Sequence, residues 1–86
     1  MTPARPIKVL YFAALRERMG TPFEELDLPE EVHDVRDLAR FLERSRSRLT
    51  GVLGSVRFAV GDEFVGPERV LQAGDVVALI PPVSGG

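Results

Sequence analysis

The sequence predicts an α+β domain: a mixed β-sheet with one main helix packed on one of its faces. Three observations lead there. Two short runs, residues 7–12 and Val76–Ile80, are almost wholly apolar and rich in β-formers, as strands at the centre of a sheet are. Between them, the stretch after Asp34 repeats its apolar residues at helical spacing. Gly20, Gly61-Asp62 and Ala73-Gly74-Asp75 punctuate the remainder into short segments joined by tight turns.

The first run is Ile7-Lys8-Val9-Leu10-Tyr11-Phe12. Lysine is rarely buried, so Lys8 marks the outer face of this strand. Side chains alternate along a strand, which puts Leu10 and Phe12 on the outer face with it and turns Ile7, Val9 and Tyr11 inward. Large apolar groups facing outward are unusual. Ala14–Met19 reads as a short helix ended by Gly20 in a left-handed cap. Residues 23–28 form a half-exposed strand, with Leu26 and Leu28 inward and Glu25 and Asp27 outward.

The main helix starts at Asp34, a good N-cap, with Asp37 near the positive end of its dipole. Val35, Leu38, Ala39 and Leu42 make its buried stripe, while Arg36, Arg40 and Arg44 occupy a solvated face balanced by nearby acids. Residues 45–54 read as loop, broken by Gly51 and Gly54. A third strand spans residues 56–60. Gly61-Asp62 turns it into a short strand around Phe64-Val65, which Gly66-Pro67 ends. Asp75 fixes the next turn through local hydrogen bonds, and the second central strand runs to Ile80. Pro81-Pro82 stops it, because proline cannot donate to a ladder.

Pairing the two apolar runs side by side requires them to be parallel if the helix crosses one face. That is the β-grasp arrangement. It divides the chain into a domain over residues 1–80 and an extended tail over residues 81–86. It also leaves one sheet face bare, carrying Leu10, Phe12, Ala59, Ala78 and Ile80, and such a patch calls for a protein partner. The tail, Pro81-Pro82-Val83-Ser84-Gly85-Gly86, reaches roughly 20 Å when extended. Two glycines remove every Cβ at its tip, so it fits a narrow channel and ends in a charged carboxylate.

Composition narrows the chemistry. Eighty-six residues make one small domain. With no cysteine and a single histidine, His33, there is no disulfide framework, thiolate nucleophile or histidine-rich metal site to build. A net charge of −2 argues against nucleic acid as a partner. No apolar run approaches the roughly 20 residues that span a bilayer, and the first six residues lack a signal-peptide core. The expected location is the cytoplasm. Glu24 and Glu25 face opposite ways on their strand and are read as solvated surface, not as a catalytic pair. His33 is read as exposed loop, and Ser84 has no base near it in sequence.

The segments Ile7-Lys8-Val9-Leu10-Tyr11-Phe12-Ala13, Leu15-Arg16-Glu17, Phe58-Ala59-Val60, Leu71-Gln72-Ala73-Gly74-Asp75-Val76-Val77-Ala78 and, above all, Pro81-Pro82-Val83-Ser84-Gly85-Gly86 resemble the small subunits of molybdopterin synthase, a family of ubiquitin-like sulfur carriers. The resemblance runs nearly end to end. That family often has asparagine where Gly61 stands and aspartate where Ala73 stands. Both positions are in turns and leave the chemistry untouched.

The resemblance implies a mechanism. An adenylating activating enzyme couples Gly86 to AMP at the expense of ATP, and a sulfur source displaces the adenylate to leave a thiocarboxylate. The synthase large subunit, in a heterotetramer, then passes that sulfur to a cyclic pyranopterin precursor. Gly85 and Gly86 are the reacting tip. Phe12, Arg16, Ile80, Pro81, Pro82, Val83 and Ser84 are the expected partner contacts, with Arg16 beside the emerging tail. The chain holds no permanent cofactor or metal in this scheme and acts as the sulfur-donating, non-catalytic subunit of a transferase. Three other readings stay open at this stage: a sulfur carrier for thiazole synthesis or another pathway, a ubiquitin-like modifier joined to lysines, and a binding module with an inert tail.

Overall fold

The computed structural model describes residues 3–82. Five strands form one sheet: β1 (Pro6–Tyr11), β2 (Phe23–Asp27), β3 (Arg57–Val60), β4 (Glu63–Val65) and β5 (Val76–Ile80). They lie side by side in the order β2-β1-β5-β3-β4. The two most apolar strands, β1 and β5, pair in parallel at the centre, and every other pair is antiparallel. A short helix α1 (Ala14–Met19) follows β1, and the main helix α2 (Val35–Ser45) covers one face. This is the β-grasp arrangement expected from the sequence.

Alternation along the strands divides inside from outside. Ile7, Val9 and Tyr11 of β1 and Val77 and Leu79 of β5 are buried against Val35, Leu38 and Leu42 of α2. The helix is fixed at its start by the Asp34 side chain, which accepts a hydrogen bond from the Asp37 N–H at 2.8 Å. Asp37 in turn accepts from the His33 N–H, just ahead of the cap, at 3.0 Å, while the Val35 and Arg36 N–H groups donate to the Arg69 and Pro67 carbonyls. His33 is exposed, as expected.

The turns follow their residues. Gly20 takes φ 75° and closes α1 by donating to the Arg16 carbonyl at 2.9 Å. Gly61 and Asp62 take φ 57° and 71°, the double left-handed turn that matches the twist of a two-residue hairpin. The Asp75 carboxylate accepts from the Gln72 N–H at 2.8 Å, which holds the last turn.

Two expectations need correction. The stretch after α2 is more than a surface loop: it contains two 3₁₀ turns, Ser47–Leu49 and Leu53–Ser55, and buries Leu49 and Leu53 in the core. Isolated apolar residues in an irregular segment have no period to betray them. Glu24 is not solvated surface. It shares the inward face of β2 with Leu26, and its carboxylate is gripped by Arg46 through Nη2 at 2.5 Å and Nε at 3.2 Å. The Tyr11 hydroxyl donates to the same carboxylate at 2.5 Å. A polar group turned toward a core must find partners or lose stability, and here two converge on it.

Candidate functional site

Parallel pairing brings the C-terminal ends of β1 and β5 to one end of the sheet. The Phe12 N–H donates to the Leu79 carbonyl at 3.3 Å, just before the chain leaves β5 at Ile80. On the β1 side, Ala13 takes φ 50° and ψ −126°, a conformation disfavoured by its Cβ, and turns the chain directly into α1. The Leu15 and Arg16 N–H groups are then satisfied by the Phe12 and Ala13 carbonyls. Arg16 is exposed on α1, at the same end of the sheet as Pro81 and Pro82. Phe12, Arg16, Ile80, Pro81 and Pro82 are therefore gathered at that end. Val83, Ser84, Gly85 and Gly86, for which the tail and reacting-tip roles were expected, lie outside the described residues.

The open face of the sheet is also as expected. One row crosses all five strands in register: Phe23, Leu10, Ala78, Ala59 and Phe64. Phe12, Phe23 and Phe64 are 44%, 42% and 55% exposed, a large aromatic area to leave in water. Leu10 and Ile80 are half-buried. Ala59 belongs to this face but is almost closed over, because its short side chain stands between Ala78 and Phe64.

Two cations bracket the row, and the sequence alone gave no sign of their contacts. The Lys8 ammonium lies 4.4 Å from the centroid of the Phe23 ring, and the Arg57 guanidinium lies 3.8 Å from that of Phe64. Each cation faces a ring's negative π cloud and holds it at the sheet edge. Lys8 sits in register with Glu25, and Arg57 with Ile80.

Among the described residues, the strongest electrostatic coupling lies on the other face. Hydrogen bonding from Arg46, helped by Tyr11, holds the Glu24 carboxyl below the usual carboxylate range. Burial, with the Glu24 hydrogen bond adding to it, pushes the Tyr11 phenol upward. Both shifts leave the groups in their ordinary states at neutral pH. The trio therefore ties β1 and β2 to the segment after α2 and has no proton to exchange there. The signal that would have found it is the strand alternation itself: Glu24 falls in phase with Leu26 and Leu28.

Among the described residues, no group of three or more His, Cys, Asp or Glu side chains is placed to hold a metal ion, and no helix is long and apolar enough to cross a membrane. The geometry offers an exposed apolar face and an exit for the chain from β5 at one end of it.

Residues 9–86 match the ThiS family. A molybdopterin synthase sulfur carrier subunit from Homo sapiens is 38% identical over 89 residues, covering 100% of both chains. The small archaeal modifier protein 1 from Methanosarcina acetivorans has a solution structure similar to this fold, with a TM-score of 0.79 at 27% identity over 99% of this chain and 100% of that one. One chain of the complex of subunits 1 and 2 of molybdopterin-converting factor from Helicobacter pylori is also similar, with a TM-score of 0.66 at 27% identity over 94% of this chain and 99% of that one. Matched along almost its whole length, the chain belongs to the ThiS family, among the molybdopterin synthase sulfur carrier subunits.

Proposed function

We propose that the chain donates sulfur from its own C-terminus as the carrier subunit of molybdopterin synthase, and that the open sheet face docks the synthase large subunit. The observation that carries this reading is the end-to-end similarity to a sulfur carrier subunit, 38% over 100% of both chains, on a fold that sends Ile80-Pro81-Pro82 out beside an uncovered apolar face. The Helicobacter pylori subunit pair supports a large-subunit partner.

The chemistry follows from what a carboxylate lacks. It is a poor acyl donor, since its leaving group is oxide. Attack of the Gly86 carboxylate on the α-phosphorus of ATP, in an activating enzyme, releases pyrophosphate and leaves an acyl adenylate. A sulfide equivalent then attacks the acyl carbon and expels AMP, giving the thiocarboxylate. Gly85 and Gly86 present no Cβ to the enzymes that receive them. In the large subunit the thiocarboxylate sulfur attacks a carbon of the pyranopterin precursor and displaces an oxygen substituent, forming a thioester. Water then cleaves the acyl C–S bond, which leaves the sulfur on the precursor and regenerates the Gly86 carboxylate. The chain supplies the sulfur and the docking surface, and the acid–base groups belong to its partners.

The test is intact-mass analysis after incubation with the activating enzyme, ATP and a sulfide source. The expected gain is the difference between sulfur and oxygen, mapped to the C-terminal peptide. Removing Gly86 should abolish both this gain and sulfur transfer while leaving thermal unfolding unchanged. Transfer that persists without Gly86 would end the proposal. An isopeptide adduct to lysine as the only product would mark a protein modifier.

A further inference from the structure

The open face is not uniformly flat. Ala59 of β3 and Ala78 of β5 stand opposite each other in register at its centre. They floor a cavity of about 500 Å³, walled by Phe12 and Ile80 toward the end of β5, Phe64 on the β4 side and Leu10 on the β1 side. Phe64 is held by the Arg57 guanidinium at 3.8 Å, and the main chain at Phe12 is fixed by its N–H, which donates to the Leu79 carbonyl.

Arg57 is the second unusual feature. It is exposed, it lies opposite Ile80 where the chain leaves the sheet, and among the described residues it forms no ion pair within 4 Å. Stacking on Phe64 fixes one face of the guanidinium and leaves its N–H edge available. A planar cation restrained in this way pairs with a carboxylate at little further entropic cost.

A flat aliphatic face discriminates poorly, because apolar burial is non-directional. A socket and a fixed charge reject any surface that lacks the matching knob or brings a cation to the wrong place. We propose that the partner of this face seats one large apolar side chain in the Ala59–Ala78 socket and pairs a carboxylate with Arg57, so that these three residues set which partner surface is accepted. The inference rests on the carrier-subunit reading, which supplies the partner: the synthase large subunit.

The experiment titrates the large subunit from the same organism against wild type, Ala78→Leu, Ala78→Val, Arg57→Ala and Arg57→Glu, with a melting curve for each variant alone. Ala78→Leu adds apolar surface to the face but fills the socket. It should weaken binding about tenfold or more, the size of a hot-spot loss. Ala78→Val, which suits a strand and adds less volume, should fall between Ala78→Leu and wild type and guards against misfolding of the larger variant. Arg57→Ala should weaken binding several-fold and flatten its dependence on ionic strength, and Arg57→Glu should weaken it further. Ala78→Leu binding as tightly as wild type, or an Arg57→Ala complex with unchanged affinity and salt dependence, would overturn the proposal. If that happened while wild type still delivered sulfur, the socket would be wrong and the carrier reading intact. Failure of wild type itself to bind the large subunit would overturn both.

Discussion

The two faces of the one sheet carry comparable aliphatic and aromatic side chains and use them differently. Under α2, Val9, Leu79 and Val77 are fully buried, and the polar Glu24 is met by Arg46 and Tyr11. On the other side Phe12 and Phe64 stay about half exposed, with Arg57 and Lys8 laid against rings. Two adjacent residues, Tyr11 at the end of β1 and Phe12 just after it, thus differ in cover: the first is closed over inside the domain, and the second stays open to another molecule in the reading proposed above. The same apolar chemistry is structural or functional according to whether this chain supplies the cover.

The comparison makes its strongest claim at Leu79. Leu79→Ala empties a fully buried site between β1 and β3 and should cost about 2–5 kcal/mol in urea or thermal unfolding. Affinity for the large subunit, measured below the melting transition, should not change. A folded Leu79→Ala protein that loses its partner would erase the division between the faces.

Phe12→Ala should do the reverse. A side chain of this size is worth about 1.5–3 kcal/mol when an interface buries it, before association costs. The complex should therefore weaken by about tenfold or more, where tenfold corresponds to roughly 1.4 kcal/mol. The isolated domain should lose less, because Phe12 is 44% exposed there. Parallel titrations and melting curves separate the two effects, and a variant that melts early but binds normally would place Phe12 with the core.

The smallest effect sharpens the polar side of the comparison. Glu24→Gln should cost about 1–2 kcal/mol at neutral pH, between the worth of an exposed ion pair and that of a partly buried charged hydrogen bond. The sign with pH is fixed by the depressed folded-state pKa. The unfolded chain binds the Glu24 proton more tightly, so the contribution is present above the ordinary glutamate value of about 4.3 and is lost as pH falls through the lower folded value. Wild type and Glu24→Gln should therefore converge in stability on acidification, read from urea titrations across the acid range. A constant gap would remove Glu24 from the account.

Local rules reached most of this. Lys8 marked the outer face because its charge resists burial, Asp34 marked the helix start because its carboxylate caps a free N–H, and Gly61-Asp62 marked the hairpin because both residues tolerate positive φ. What escaped depends on residues that meet only after folding. Glu24 and Arg46 are 22 positions apart, and no spacing announces their pairing. Leu49 and Leu53 enter the core from a segment without a period. Arg57 finds Phe64 across a hairpin, where a charged residue on a strand would otherwise read as ordinary surface. The Ala59–Ala78 socket is a register effect: two small residues become a cavity only when adjacent strands set them side by side.

Parallel pairing of β1 with β5 also has a practical side. Pro6 opens β1 at one end of the sheet and Ile80 closes β5 at the other, with roughly 20 Å of strand between those ends at about 3.3 Å per residue. An affinity tag, a fluorophore or a solubility fusion joined ahead of β1 therefore attaches away from both the Phe12 end of the open face and the departing Pro81-Pro82. Immobilising the protein for interaction measurements by that end keeps its working end presented to solution, and the same handle placed after Gly86 would cap the group proposed to react.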